Sequence, residues 1–276
     1  VHYSVKDINI YYETYGSGIP VIMIHGWGPD HRIMKGCMEP VFKSIKAQFK
    51  RIYFDMPGMG KTRGESWIKG SDQMLDLILD FIDGIIPQDQ HFLVVGESYG
   101  GYLARGVIKK RASNVNGLLL ICPVALPETQ KANSPDLHIF VQDRSLLNSL
   151  SDEDRRYFES INVIQNKKVW YRFKDEILTG LKIADNDFLE RNLGQNVPFT
   201  FNVDKLDKPF IKPTLMIMGR QDSAVGYKDI WLIIENYPRA TFVILDKAGH
   251  NLQIEQDVLF NDMVKDWLNR VLEENN

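Results

Sequence analysis

A chain of 276 residues is long enough to bury a sizeable core in one or two domains. Its 44% hydrophobic and 25% charged residues are ordinary for a soluble globular protein, and a net charge of −3 supplies no basic field for nucleic acid or anionic lipid. Cys37 and Cys122 are too few for a disulfide framework or a multi-thiolate zinc site, which fits a reducing compartment. The opening segment VHYSVKDINIYYETYG lacks the basic start and apolar core of a signal peptide. No apolar stretch approaches the ~18 residues of a membrane span. A cytoplasmic location is therefore expected.

In chain order, INIYYETYG reads as an early strand closed by a Gly-Ser-Gly turn. PVIMIHG is a short apolar run ended by glycine, the pattern of a strand buried on both faces, and RIYFDMPGMG repeats it. In SDQMLDLILDFIDGIIP, Met74, Leu75, Ile78, Leu79, Ile82, Ile85 and Ile86 recur at helical spacing. Ser71 or Asp72 would cap that helix and Pro87 would stop it. HFLVVGE, a helix from Tyr99 to about Lys110, and VNGLLLICP follow. Later, KPTLMIMGRQD and ATFVILDKAGH read as two more buried strands, YKDIWLIIENY as helix-like, and VLFNDMVKDWLNRVLEEN as a closing amphipathic helix. Strands alternating with helices predict an α/β fold whose mostly parallel sheet is covered on both faces.

The alternation fails between residues 127 and 205, which hold helix-like pieces (SDEDRRYFESINVIQ, KVWYRFKDEILTGL, NDFLERNLG) and no buried-strand run. That stretch is too long for an ordinary loop. The expected division is a core over residues 1–126, a helical insertion over 127–205 after the strand ending near Cys122, and the rest of the core over 206–276.

GESYG places Ser98 between Gly96 and Gly100, after a strand and before a helix. A serine hydroxyl is a poor nucleophile until a positioned base takes its proton and a third group orients that base. Small residues around the serine allow a sharp strand-to-helix bend that lifts the hydroxyl above the sheet. The pentapeptide alone is equally compatible with a plain turn. Three further features weigh on the choice. HGWG ends an earlier strand, where a loop N–H paired with that of Tyr99 would make an oxyanion hole. Asp222 in GRQDS and His250 in AGHN each follow a later strand, in the chain order Ser, Asp, His. A strand-ending Asp is commonly a turn residue and a lone His commonly structural, but four such features at four strand ends are hard to obtain that way.

With HGWG, DMPGMGKT, GESYGG, GRQD and AGH in this order, the chain resembles a cap-bearing α/β-hydrolase of the lipase- and esterase-like superfamily over nearly its whole length. The resemblance implies Ser98 as nucleophile, His250 as general base, Asp222 as its orienting acid, and the N–H groups of Trp27 and Tyr99 as the oxyanion hole. It implies no metal or organic cofactor. Serine at position 98 disfavours the relatives with an aspartate nucleophile. HGWG in place of the HGGG of many lipases puts an indole on the acyl side, against long-chain lipids.

Small esters or lactones are the expected substrates. A proline-iminopeptidase-like aminopeptidase is the alternative enzyme, although the 13 acidic and 11 basic residues of the insertion give it no support. A ligand sensor that retains the triad remains open. Trp27, Tyr99, Phe140 and Trp170 are the candidate substrate-binding residues. At least two of the insertion's nine aromatics (the others being Tyr157, Phe158, Tyr171, Phe173, Phe188, Phe199 and Phe201) are expected to face the cavity.

His25 reads as a stabiliser of the oxyanion loop. Asp30 and His31 either line a pocket entrance or form a solvated turn, the simpler reading. Asp55 reads as a turn partner and Glu97 as a structural strand end. Asp229 and Asp246 compete with Asp222 by residue type only. GMGKT lacks the full G-x-x-x-x-G-K-[ST] pattern of a phosphate loop.

Overall fold

The computed structural model describes residues 1–127 and 134–274. The first six strands are β1 (His2–Val5), β2 (Ile8–Tyr15), β3 (Ile19–Ile24), β4 (Phe49–Phe54), β5 (Phe92–Glu97) and β6 (Val115–Ile121). With β9 (Thr214–Gly219) and β10 (Ala240–Leu245) they form one sheet in the order β1-β2-β4-β3-β5-β6-β9-β10. The β1/β2 and β2/β4 pairs are antiparallel and the other pairs are parallel. The central apolar runs are buried as their sequences require: every residue of β5 and β9 lies inside.

β10 departs from the expected buried strand. It pairs only with β9, so one side is the sheet's edge, and Ile244 is exposed. Its apolar sequence resembles a central strand because strand chemistry does not report position in the sheet.

Three helices cover the first half of the sheet: α1 (His31–Lys43), α2 (Ser71–Ile85) and α3 (Tyr99–Arg111). The first has no counterpart in the sequence reading, because Gly36 and Pro40 interrupt its pattern with poor helix formers. Its N-cap is Asp30, whose carboxylate accepts from the Arg32 N–H, so Asp30 and His31 are buried and not a solvated turn. The cap of α2 is also corrected. Gly70 takes that place, and the Ser71 hydroxyl instead bonds the Val197 carbonyl (2.5 Å) and the Tyr99 hydroxyl (2.8 Å).

Between β6 and β9 lie β7 (Val141–Gln142), α4 (Arg144–Ser149), α5 (Asp152–Glu159), β8 (Ile164–Gln165), α6 (Lys167–Phe173) and α7 (Asn186–Arg191). A π-helical turn, Lys174–Leu178, continues α6. The small parallel β7/β8 ladder is a finding. Strands of two residues leave no periodic trace, and β8 takes the end of a segment read as one helix. The expected insertion starts at 127, and its residues 128–133 lie outside the described ones.

After β10 come α8 (Leu252–Glu255) and α9 (Asp257–Glu274). The latter buries Phe260, Val264, Trp267, Leu268 and Val271 at helical spacing. The segment read as helix-like before β10 is a 3-10 helix, Asp229–Asn236. Among the described residues no helix is long and apolar enough to cross a membrane.

This layout gathers chemistry at one end of the sheet. Trp27, Ser98, Asp222 and His250 each follow the carboxyl end of a strand (β3, β5, β9 and β10), where open α/β sheets bind ligands.

Candidate active site

The bend at Ser98 is sharp because its backbone is forced. Ser98 has φ +54° and ψ −120°, a left-handed conformation that an L-residue adopts only under constraint. Its N–H donates to the Ile121 carbonyl (2.9 Å), and its own carbonyl accepts from Gly101 and Val124 (3.0 Å each). The flanking glycines are required by close approach. A Cβ on Gly96 would come 2.3 Å from the Gly100 carbonyl oxygen, and one on Gly100 would come 2.2 Å from that of Ile24. The G-x-S-x-G spacing is thus a packing demand between β5, α3 and β3.

The Ser98 hydroxyl lies 2.9 Å from His250 Nε2, and His250 Nδ1 lies 2.9 Å from Asp222 Oδ2. Asp222 is itself fixed, since its Oδ1 accepts from the N–H groups of Ala224 (2.9 Å) and Val225 (3.0 Å). Burial pulls the imidazole pKa down, but the Asp222 charge and hydrogen bond, with help from Glu97 and Glu255, push it up to about 9. The competing acids are elsewhere. Asp246 is exposed and accepts from Gln221 (3.0 Å), and Asp229 lies in the 3-10 helix.

Beside the serine, the loop after β3 runs against the bend, so a Cβ on Gly26 would stand 3.0 Å from Ser98 Cβ. His25 holds this loop: its Nε2 accepts from the Met56 N–H (3.0 Å), and its Nδ1 lies 2.8 Å from the Gly26 carbonyl. Tyr99 opens α3, so its N–H has no carbonyl one turn earlier in the helix to bond.

A cavity of about 230 Å3 opens over Ser98. Trp27, Ile33, Phe173, Ile177 and Leu181 supply apolar walls, and Glu97, Tyr157, Ser160, His250 and Asn251 bring polar groups. Of the insertion's nine aromatics, Tyr157 and Phe173 line it.

Three candidate substrate contacts need correction. Phe140 is exposed and packs edge-on against His138. Trp170 is buried against Phe158 and Phe173, behind the wall. The Tyr99 ring packs edge-on to Trp27 with its hydroxyl on Ser71, so Trp27 alone of the four lines the cavity. Aromatic residue type does not reveal which way a side chain faces.

Several residues at the site escaped the sequence reading. Glu255 accepts from Gly249 (2.6 Å), the residue before His250, and from Val163 (2.6 Å) and Ile164 (3.3 Å) of the insertion. Burial raises its carboxyl to about 7 against those three N–H groups. Asn251, the residue after His250, donates to Asn162 Oδ1 (3.0 Å). The histidine loop is therefore bonded to the insertion on both sides. The offset of five residues between His250 and Glu255 carries no known signature, so only the fold exposes it.

Two clusters bring three metal-ligating side chains together among the described residues: Cys122, Asp222 and His250, and Asp30, His31 and Asp55. In both, the carboxylates already accept protein hydrogen bonds. The Cys122 thiol, raised by burial, is no ready thiolate ligand.

A parallel sheet carrying a serine on a strained strand-to-helix bend, opposite a histidine and a buried aspartate, defines an α/β-hydrolase architecture. The family model for the alpha/beta hydrolase fold matches residues 19–257, and the chain belongs to that family. It is similar to a pimeloyl-[acyl-carrier protein] methyl ester esterase of Legionella pneumophila (strain Corby), 24% identical over 271 residues that cover 95% of this chain and 100% of the relative. Among solved structures, an alpha/beta superfamily hydrolase from Oenococcus oeni PSU-1 aligns with a TM-score of 0.85 and 28% identity, covering 98% of this chain and 99% of that one. A thermophilic esterase from Thermogutta terrifontis shares the fold at TM-score 0.64 and 19% identity, covering 98% and 97%.

Proposed function

We propose that the protein is a serine hydrolase that cleaves small carboxylic esters or lactones through an acyl-enzyme on Ser98. The observation that carries this reading is the continuous chain from Ser98 Oγ through His250 to Asp222, with both contacts at 2.9 Å. Ser98 Oγ attacks the carbonyl carbon as His250 Nε2 takes its proton. The carbonyl oxygen becomes an oxyanion facing the N–H groups of Trp27 and Tyr99. The tetrahedral adduct collapses, and the leaving alkoxide takes the proton from Nε2. Water then attacks the acyl-enzyme with His250 again as base, which frees the acid and restores Ser98. Asp222 holds the imidazole tautomer with Nε2 free and stabilises the imidazolium in each half.

A cavity of about 230 Å3 favours a short acyl group. Residues 127–205 act in this reading as the cap that supplies the far wall through Tyr157, Phe173, Ile177 and Leu181. The related esterase named above agrees with ester chemistry.

One observation favours the aminopeptidase alternative: Glu97 lies in the cavity, where a carboxylate would meet a substrate amine. A serine-directed fluorophosphonate should label Ser98 and no other serine. Ser98→Ala should abolish p-nitrophenyl acetate turnover by several orders of magnitude while the protein stays folded. Labelling elsewhere, or unchanged turnover, removes the mechanism. Faster turnover of aminoacyl-naphthylamides than of esters selects the peptidase.

A further inference from the structure

Glu97 ends β5 immediately before Ser98, and both its position and its surroundings are unusual. Its side chain is 3% exposed, and Oε2 has no hydrogen-bond partner. An unpaired carboxyl oxygen is costly to bury. Oε1 lies 3.5 Å from His250 Nε2, the nitrogen that faces Ser98. The space is kept for it, since a Cβ on Gly26 would stand 2.3 Å from Oε2. His250 therefore has a carboxyl group at each end: Asp222 at Nδ1 and Glu97 beside Nε2.

We propose that Glu97 is a positioning residue whose charge, beside Nε2, sets the pH at which His250 becomes a free base. The proposal rests on the assignment of His250 as the base, but its test does not. An anion beside Nε2 favours the imidazolium over the neutral ring. The resting site is then held protonated to higher pH than Asp222 alone would hold it. The same anion stabilises the imidazolium that forms as Ser98 attacks. At low pH Glu97 is itself protonated, so its charge is absent both before and during reaction and changes nothing. At high pH the ring starts neutral, and the contact counts in full.

The other ionisable groups around the pair do not replace this effect. Asp222 and Glu255 add negative charge near His250 but leave its Nε2 side to Glu97, and Cys122 is a buried thiol held protonated. Glu97 faces His250 and Asp222, and more distantly Cys37 and Cys122, which are also buried thiols raised by burial. Burial raises Glu97 itself to about 7, opposed by His250 and by the Gly26 backbone amide, so Glu97 carries its charge above about pH 7, where His250 is still protonated.

The test is an NMR titration of the His250 ring in the wild type and in Glu97→Gln, together with the pH profile of kcat/KM on p-nitrophenyl acetate. An opposite charge at this range is worth about 1–3 pKa units. The ring should titrate at least about one unit lower in Glu97→Gln. The acid limb should move down by the same amount, the low-pH rates should overlap, and the plateau should fall roughly tenfold. A ring that titrates unchanged, or a plateau lost with no movement of the limb, overturns the proposal. Should Glu97→Gln not fold, Glu97→Asp draws the charge back by one methylene and should give a smaller downward shift, whereas no shift in folded Glu97→Asp overturns it. The ring titration reads the same whether or not the protein cleaves esters, so failure of the ester assignment is distinguishable.

Discussion

His31 and His250 are built from the same parts. Each is buried, each meets a carboxylate at Nδ1 (Asp55 at 2.7 Å, Asp222 at 2.9 Å), and each has a glutamate beside Nε2 (Glu13 at 3.3 Å, Glu97 at 3.5 Å). What separates them is how the rest of each group is occupied. Asp55 also takes the N–H groups of His31 (2.9 Å) and Lys61 (2.8 Å), so it ties a loop to a helix. Glu13 accepts from Lys35, Tyr11 and Tyr15, which overcome its burial and hold its carboxyl down at about 2. Every donor around His31 is committed to structure. Around His250 a serine hydroxyl faces Nε2, a cavity opens above it, and Glu97 keeps an oxygen unpaired. A histidine between carboxylates becomes reactive only where something is left to react.

The sharpest way to break this comparison is to neutralise both aspartates. Asp222→Asn should leave the fold intact and cut ester turnover by roughly a thousandfold or more, because the wrong imidazole tautomer is then favoured. Asp55→Asn should change turnover only slightly and lower stability by about 2–3 kcal/mol, as acceptor bonds to buried partners are lost. Kinetics and chemical denaturation on the same preparations decide it, and equal losses of turnover would erase the distinction.

Much of the site could be read without coordinates. The serine bend, the Asp and His after later strands and the loop at Trp27 each combine a residue type with a strand end, and both leave marks in sequence. The corrections share a cause. Asp30 and His31 look like turn residues because the partners of His31 are distant: Glu13 comes from β2 and Asp55 from the end of β4. Phe140 and Trp170 belong to an insertion rich in aromatics, yet the cavity is walled by Phe173, Ile177 and Leu181, whose direction depends on how the π-helical turn continues α6. Glu97 was visible as a strand end, but its approach to His250 exists only once β5 and the loop after β10 meet.

A smaller contrast lies within the insertion. Trp170→Ala should lower stability by about 3–5 kcal/mol without changing the ranking of p-nitrophenyl esters from acetate to octanoate. Phe173→Ala should also destabilise, but it enlarges the cavity and should move the preference toward longer acyl groups. Melting temperatures and the ester panel together separate wall from support, and identical rankings in the two variants would cancel the assignment of Phe173.

The smallest effect concerns pH. The folded state keeps protons on Glu97 and Glu255 to about 7, above the 4.5 of the unfolded chain, and on His250 to about 9, above 6.5. Between those limits the folded protein binds more protons, so these groups contribute stability at acid pH that is lost as pH rises through 7 and then 9. Glu13 acts oppositely, and its contribution is lost as pH falls below 4.5 toward 2. The melting temperature should therefore drift down by several degrees from about pH 5 to pH 9, and less so in Glu97→Gln. A melting temperature that climbs across this range would mean that the site does not hold its protons.

The double attachment of the histidine loop has a mechanical consequence. Glu255 and Asn251 fasten the stretch at Asn162, Val163 and Ile164 to the residues on either side of His250. Any displacement of this stretch therefore pulls on the residues that flank the base. The place of the base is thus set from two directions, by the sheet beneath it and by the segment between β6 and β9 above it.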